Sequence, residues 1–184
     1  MAGRAGTAGW AGRTGWSILA AALTVHLHAA IANAETVDRV LAVVAGQLIM
    51  LSDVTAVRAL GIITPEPAAD PIGSVLTQLI DRELMLAEVD RYAPPEPETI
   101  EIDREVAGVR ARFPTQQAFE QTLARSGFDV THVRELERQN LRLRAYIEQR
   151  FTVPENDVAR RQSLVADWVA GLRRRSQVVN LYKQ

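Results

Sequence analysis

"VDRVLAVVAGQLIMLSDV", residues 37–54, decides how this chain is read. It holds two short apolar strands, Val37–Val44 and Gln47–Leu51, around an Ala45-Gly46 corner. Almost everything after it has helical periodicity. A lone two-stranded hairpin is marginal in water and exposes two edges. A partner strand must therefore come from elsewhere in the chain.

Upstream, Arg4 and Arg13 precede the uncharged run "WSILAAALTVHLHAAIA" and the small-residue end "ANA", with Ala32 and Ala34 where a signal peptidase reads. These are the three parts of a secretory signal peptide, expected over residues 1–34 and cut after Ala34. The alternative is a retained membrane anchor, a run near the lower limit of a spanning helix and interrupted by His26 and His28. Cleavage leaves residues 35–184, one domain's worth of chain with no expected membrane insertion. Without Arg4 and Arg13 the 21 basic residues become 19 against 22 acidic ones, a formal charge of −3. That balance, like export, argues against nucleic-acid binding. The absence of cysteine excludes disulfides, thiolate chemistry and cysteine zinc sites.

Downstream, Ser52 stands where an N-cap would, with Asp53 in the first turn, and a short helix is expected to about Leu60. Thr64 to Pro71, with three prolines, is a loop. A helix over about Ile72–Tyr92 has Val75, Leu76, Leu79, Ile80, Leu84 and Ala87 on one broad face. Further helices are expected over Glu98–Arg112 (Ile102, Val106, Val109, Phe113) and Thr115–Ser126 (Phe119, Leu123). Gly127 reads as a left-handed stop and Phe128 as its hydrophobic partner. Asp129 caps the longest helix, to about Arg150, with Val133, Leu136, Asn140, Leu143 and Ile147 in a three-four rhythm: a seam with one polar residue. Arg134, Arg138, Arg142 and Arg144 lie elsewhere on it and read as a solvated face balanced by Glu135, Glu137 and Glu148, rather than an anion site.

A last helix starts near Pro154 and runs to about Arg174, its final cations favourable at the negative end. "SQVVNLY", from Ser176 to Tyr182, then has strand character. It is the one convincing later strand, so it is expected to return and pair with the hairpin. Fold class is therefore mainly α: helices over about 52–150, a C-terminal helix and strand over about 154–182, and a small sheet closed from both chain ends.

The ordered set "VDRVLAVVAGQLIMLSDV", "QLIDRELMLAEVDRYA", "SGFDVTHVRELERQNLRLRAYIEQRFTVPENDV" and "DWVAGLRRRSQVVNLYKQ" resembles the SurA family of periplasmic chaperones. The resemblance implies that family's N-terminal domain with its C-terminal helix and strand, the strand pairing with the hairpin. In that family parvulin prolyl isomerase domains sit before the C-terminal helix. Here only about a dozen residues separate Val153 from Trp168, whereas an independent domain needs on the order of a hundred. A glycine-rich parvulin stretch is also missing.

Catalysis needs convergent groups of suitable pKa. After residue 34 the one histidine is His132, in the first turn of the longest helix and read as a structural or surface residue. There is no G-x-S-x-G elbow or phosphate loop. Glu66, Asp70, Glu96 and Glu98 in the proline-rich loops lack EF-hand spacing. No catalytic residue, cofactor or metal is expected.

Apolar surface remains. Consecutive helix positions turn by about 100°, so Leu84, Met85 and Leu86 cannot all face one core. With Phe113, Phe119 and Phe128 they are the candidate client-binding residues, and methionine suits varied partners. The resemblance implies an exported, periplasmic, ATP-independent binder of unfolded polypeptides, with outer-membrane proteins as clients and outer-membrane assembly machinery as a partner. The alternatives are a non-catalytic subunit that docks one envelope partner and, against the missing domain, a prolyl isomerase.

Overall fold

A computed structural model describes residues 38–64, 69–154 and 157–183. The signal peptide reading, Val37 and the middle of the proline-rich loop, with Glu66, lie outside the described residues.

The hairpin forms as expected. β1 (Val40–Val44) and β2 (Gln47–Met50) pair antiparallel through Ala45 and Gly46, whose φ values are +50° and +86°. Positive φ at both central residues is what a type I′ hairpin turn demands. Glycine adopts it freely, whereas Ala45 carries a Cβ that opposes it. Ala45→Asn is therefore expected to stabilise the domain by about 1 kcal/mol, measured as a shift in the urea midpoint; an unchanged or lower midpoint contradicts this.

β3 (Val178–Asn180) pairs antiparallel with β1, giving the strand order β2-β1-β3. Both chain ends close the sheet. A bulge in β1 between Val40 and Ala42 turns Leu41 into the core beside Ala42 and Val44.

Six helices follow β2. They are α1 (Leu51–Ala59), α2 (Pro71–Tyr92), α3 (Thr99–Arg110), α4 (Gln116–Arg125), α5 (Val130–Arg150) and α6 (Val158–Arg175). Their ends have local causes. Asp70 caps α2 by accepting the Gly73 N–H at 3.0 Å, with Pro71 in the first turn. Thr115 caps α4 and Asp129 caps α5. Gly127, at φ +69°, ends α4, and Phe128 N–H folds back onto the Leu123 carbonyl at 3.0 Å.

Two helix starts differ from expectation. Ser52 is not the cap of α1: Met50 holds that position, and the Asp53 carboxylate accepts its N–H at 2.7 Å. Ser52 instead bonds Asp38 through both its N–H and its hydroxyl. Likewise α6 starts at Val158, capped by Asp157, and not at Pro154. In both places an Asp carboxylate three residues before an N–H, or three after one, outcompetes the residue nearest the apolar run.

Two apolar clusters hold the domain. The larger joins the sheet (Leu41, Ala42, Val44, Ile49) to α1, the inner face of α2, Tyr146 of α5, and Trp168 and Leu172 of α6. The smaller gathers Leu60, Val109, Phe119, Leu123 and Val133, from α1's end to α5. The hairpin thus rests its inner face on α2 and its open side on β3.

Candidate polypeptide-binding surface

Of the six residues expected to meet a client, all but Leu86 lie in or against these clusters. Leu84, Leu86 and Phe119 are buried. Met85 is half-buried against the larger cluster, and Phe113 and Phe128 against the smaller one. Phe113 and Phe119 pack ring to ring at 5.4 Å. The structure does not bring the six together on one surface. Of the Leu84–Leu86 triplet, Met85 points least inward.

The arginine stripe of α5 is a set of ties to other elements. Arg134 pairs with Asp103 of α3, and Arg144 with Glu105 of α3 at 3.3 Å. Arg138 holds Glu96 at 2.5 Å and Glu135 at 2.8 Å; these carboxylates keep its guanidinium charged, and its hydrogen bond holds the Glu135 carboxyl below the usual range. Arg142 is buried, donates to Asp90 at 2.8 Å, and places Nε 3.2 Å from Glu96. The balancing acids come mostly from α2, α3 and the loop between them, more than from Glu137 or Glu148 of α5. His132 stays exposed, caps its own helix with Asp129 and stacks on Phe128 at 5.0 Å. Among the described residues no group of three or more acidic or histidine side chains is placed to hold a metal.

Unfilled apolar surface lies on both sides of the second half of α5. On one side, Ala93 takes a left-handed φ of +45° and ends α2, so that Pro94 turns beside α5. Tyr92, Pro94, Tyr146, Gln149 and Arg150 line a cavity of about 270 Å³. Behind it runs an aromatic series: Tyr92 to Tyr146 at 5.5 Å, Tyr146 to Trp168 at 5.7 Å, and Trp168 to Phe151 at 5.6 Å. Arg150 donates to the Tyr146 hydroxyl at 2.9 Å and lies 5.6 Å from the Phe151 and Trp168 ring centres.

On the other side, Ile147 of α5 faces Val158, Arg161, Gln162, Val165 and Ala166 of α6 across an open cavity of about 360 Å³. Tyr92 is 59% exposed and Val158 53%. Trp168 Nε1 and Arg161 Nε are buried without an acceptor among the described residues.

This arrangement offers apolar and aromatic walls with cations at the rim. It suits apolar side chains of an extended chain better than a small polar substrate. The sequence reading passed over Tyr92, Tyr146, Arg150 and Val158. Their one legible signal is position: aromatic and apolar residues at helix ends, beside "APPEP" and "TVPENDV". No helix among the described residues is long and apolar enough to cross a membrane. No protein-family model matches this chain, and no curated protein matches it.

Proposed function

We propose that the protein is an ATP-independent, non-catalytic holder of unfolded exported polypeptides, acting in the periplasm, with outer-membrane proteins as its clients. The observation that carries the reading is the pair of open apolar cavities flanking α5, rimmed by exposed Tyr92 and Val158. Exposed apolar surface of this kind marks interaction sites. Transient burial of a client's apolar side chains there lowers the concentration of its aggregation-prone segments. The resemblance to SurA supplies the client class and the compartment. The short span between Val153 and Trp168 supports the absence of isomerase activity.

The test is light scattering of a denatured outer-membrane protein diluted from urea. The purified protein at near-stoichiometric ratio is expected to slow aggregation. A Tyr92→Ser/Val158→Glu double variant, altered at two exposed positions, is expected to lose most of that effect while melting as the parent does. No slowing with several clients overturns the reading. Acceleration of proline isomerisation in a chymotrypsin-coupled assay overturns its non-catalytic part.

A further inference from the structure

Among the described residues β3 is the last strand of the sheet, and no further strand pairs with its outer edge. Leu181 N–H bonds the Leu41 carbonyl at 2.9 Å. Given the register Ala42↔Asn180, Val43↔Val179, Val44↔Val178, the Val43–Val179 pair is then a hydrogen-bonded one. The backbone N–H and C=O groups of Val178 and Asn180 consequently point away from β1, toward the open side. Such a row is a template for another strand.

Three further features surround this edge. Leu48, Val43 and Val179 stand in one row across the three strands on the outer sheet face; Leu48 is 57% exposed, and Val179 and Leu181 are each 52% exposed. Beside β3 lies an open cavity of about 880 Å³, walled by Gly73, Ser74, Leu76 and Thr77 of α2 and by Asn180 and Tyr182. A five-residue strand, at about 3.3 Å per residue, about 4.8 Å between strands and about 10 Å between faces, occupies about 800 Å³.

The third feature is charge. In the last turn of α6, Arg173 is held by Asp81 at 2.5 and 2.8 Å and Arg175 lies 3.8 Å from Glu88. Arg174, before the strand, and Lys183, after it, make no ion pair with another described residue. Among the described residues the edge therefore has an unpaired cation at each end, in a chain of formal charge −1. Antiparallel pairing of β3 with a second copy would bring the Arg174–Arg175 end against Lys183 of the other copy, a like-charge contact that disfavours self-association. Asp70, on the cavity wall, accepts from Gly73 N–H and the Tyr182 hydroxyl and disfavours an acidic residue at the centre.

We propose that the β3 edge captures an extended client segment by strand addition, selecting an apolar or neutral centre flanked by acidic residues. This rests on the reading above that the protein holds unfolded polypeptides, and it gives that reading a second contact surface: backbone hydrogen bonds supply affinity, and Arg174 and Lys183 set the preference.

The probe is a fluorescein-labelled ten-residue peptide of alternating valine and threonine with two aspartates at each end, followed by anisotropy with the purified protein. Binding is expected, and the same peptide with lysines in place of aspartates is expected to bind about three- to tenfold more weakly. Arg174→Glu/Lys183→Glu should reverse that order. Asn180→Pro removes one outward N–H and no β1 bond, and should weaken the aspartate peptide about tenfold. If Asn180→Pro fails to fold, the charge-reversal pair, at exposed sites, decides alone. Equal binding of both peptides, or a parent preference unchanged by reversal, overturns the proposal, as does concentration-dependent dimerisation that the peptide does not compete with. Aggregation assays on the same variants separate the two readings. Suppression without peptide binding removes the edge and leaves the holder function, whereas loss of both removes the function too.

Discussion

Deleting the residues from Ser176 onward is expected to unfold or aggregate the protein, although only the extreme C-terminus is removed. Free termini usually tolerate such loss. Here β1 is the central strand, and its Leu41, Ala42 and Val44 are fully buried. Without β3 the outer side of β1 loses the bonds of the Val43–Val179 pair and the Leu181–Leu41 bond. It also loses the half-buried Val178 and Tyr182, which pack on the larger cluster. Tyr182 additionally donates its hydroxyl to Asp70 at 3.0 Å, tying the tail to the start of α2. Val179 and Leu181 are too exposed to add much. Four hydrogen bonds and two half-buried side chains amount to about 4–8 kcal/mol, against a total of about 5–15 kcal/mol for a domain. The expected result is no cooperative melt, or a melting temperature lowered by at least about 10 °C. A truncated protein melting within a few degrees of the parent would show that β3 is dispensable.

That strand was legible because three independent signals agree on it. The hairpin needs an edge partner, "QVVNLY" has strand composition, and no other segment after the hairpin reads convincingly as a strand. Gly127 and Phe128 were legible for a similar reason, since a C′ glycine followed by an apolar residue is a local pattern with a local cause. The candidate site was not legible. Periodicity identifies which side chains share a helix face, but not which face meets another element. Leu84, Leu86 and Phe119 are large and apolar, and that property puts them in the core as readily as in a groove. Tyr92 and Val158 sit at helix ends, where periodicity is silent. The surface around α5 exists because two breaks, at Ala93 and after Phe151, leave that helix partly uncovered. The α5 arginines show the same limit. Their partners Asp90, Glu96, Asp103 and Glu105 are 31 to 52 residues away in sequence, so nearby glutamates looked like the counterions.

The polar residue in the α5 seam leads to the other large effect. Asn140 was legible as an exception in an apolar rhythm, and the structure supplies its partner. Arg82 of α2 is buried against α5 and donates to Asn140 Oδ1 at 3.2 Å, Gln139 Oε1 at 2.9 Å and the Leu136 carbonyl at 3.4 Å, and to its neighbour Glu83 at 2.9 Å. Asn140 in turn donates to buried Glu137 at 3.2 Å. One guanidinium thus satisfies four acceptors where α2 crosses α5. Arg82→Ala strands those acceptors and leaves Glu83 without its cation. The expected cost is about 3–5 kcal/mol, or a melting temperature about 10 °C lower. Arg82→Lys keeps the charge but not the fork, and should fall between.

The pH dependence distinguishes this cause from simple loss of packing. Burial pushes the Glu83 carboxyl above its ordinary range, and Arg82 is the largest influence holding it down. Asp53 is also raised, by its own burial. A carboxyl raised in the folded state favours folding fully only below its unfolded value, about 4.3 for Glu and 3.9 for Asp, and that contribution is lost as pH rises through the folded value. Removing Arg82 raises Glu83 further. The variant's deficit is therefore largest at pH 7 and shrinks as pH falls toward the ordinary carboxylate range. Paired urea melts of parent and Arg82→Ala at pH 7 and pH 5 read this directly. A deficit that is equal at the two pH values, or larger at pH 5, would mean that Arg82 stabilises the α2–α5 crossing by packing and not by holding the Glu83 charge.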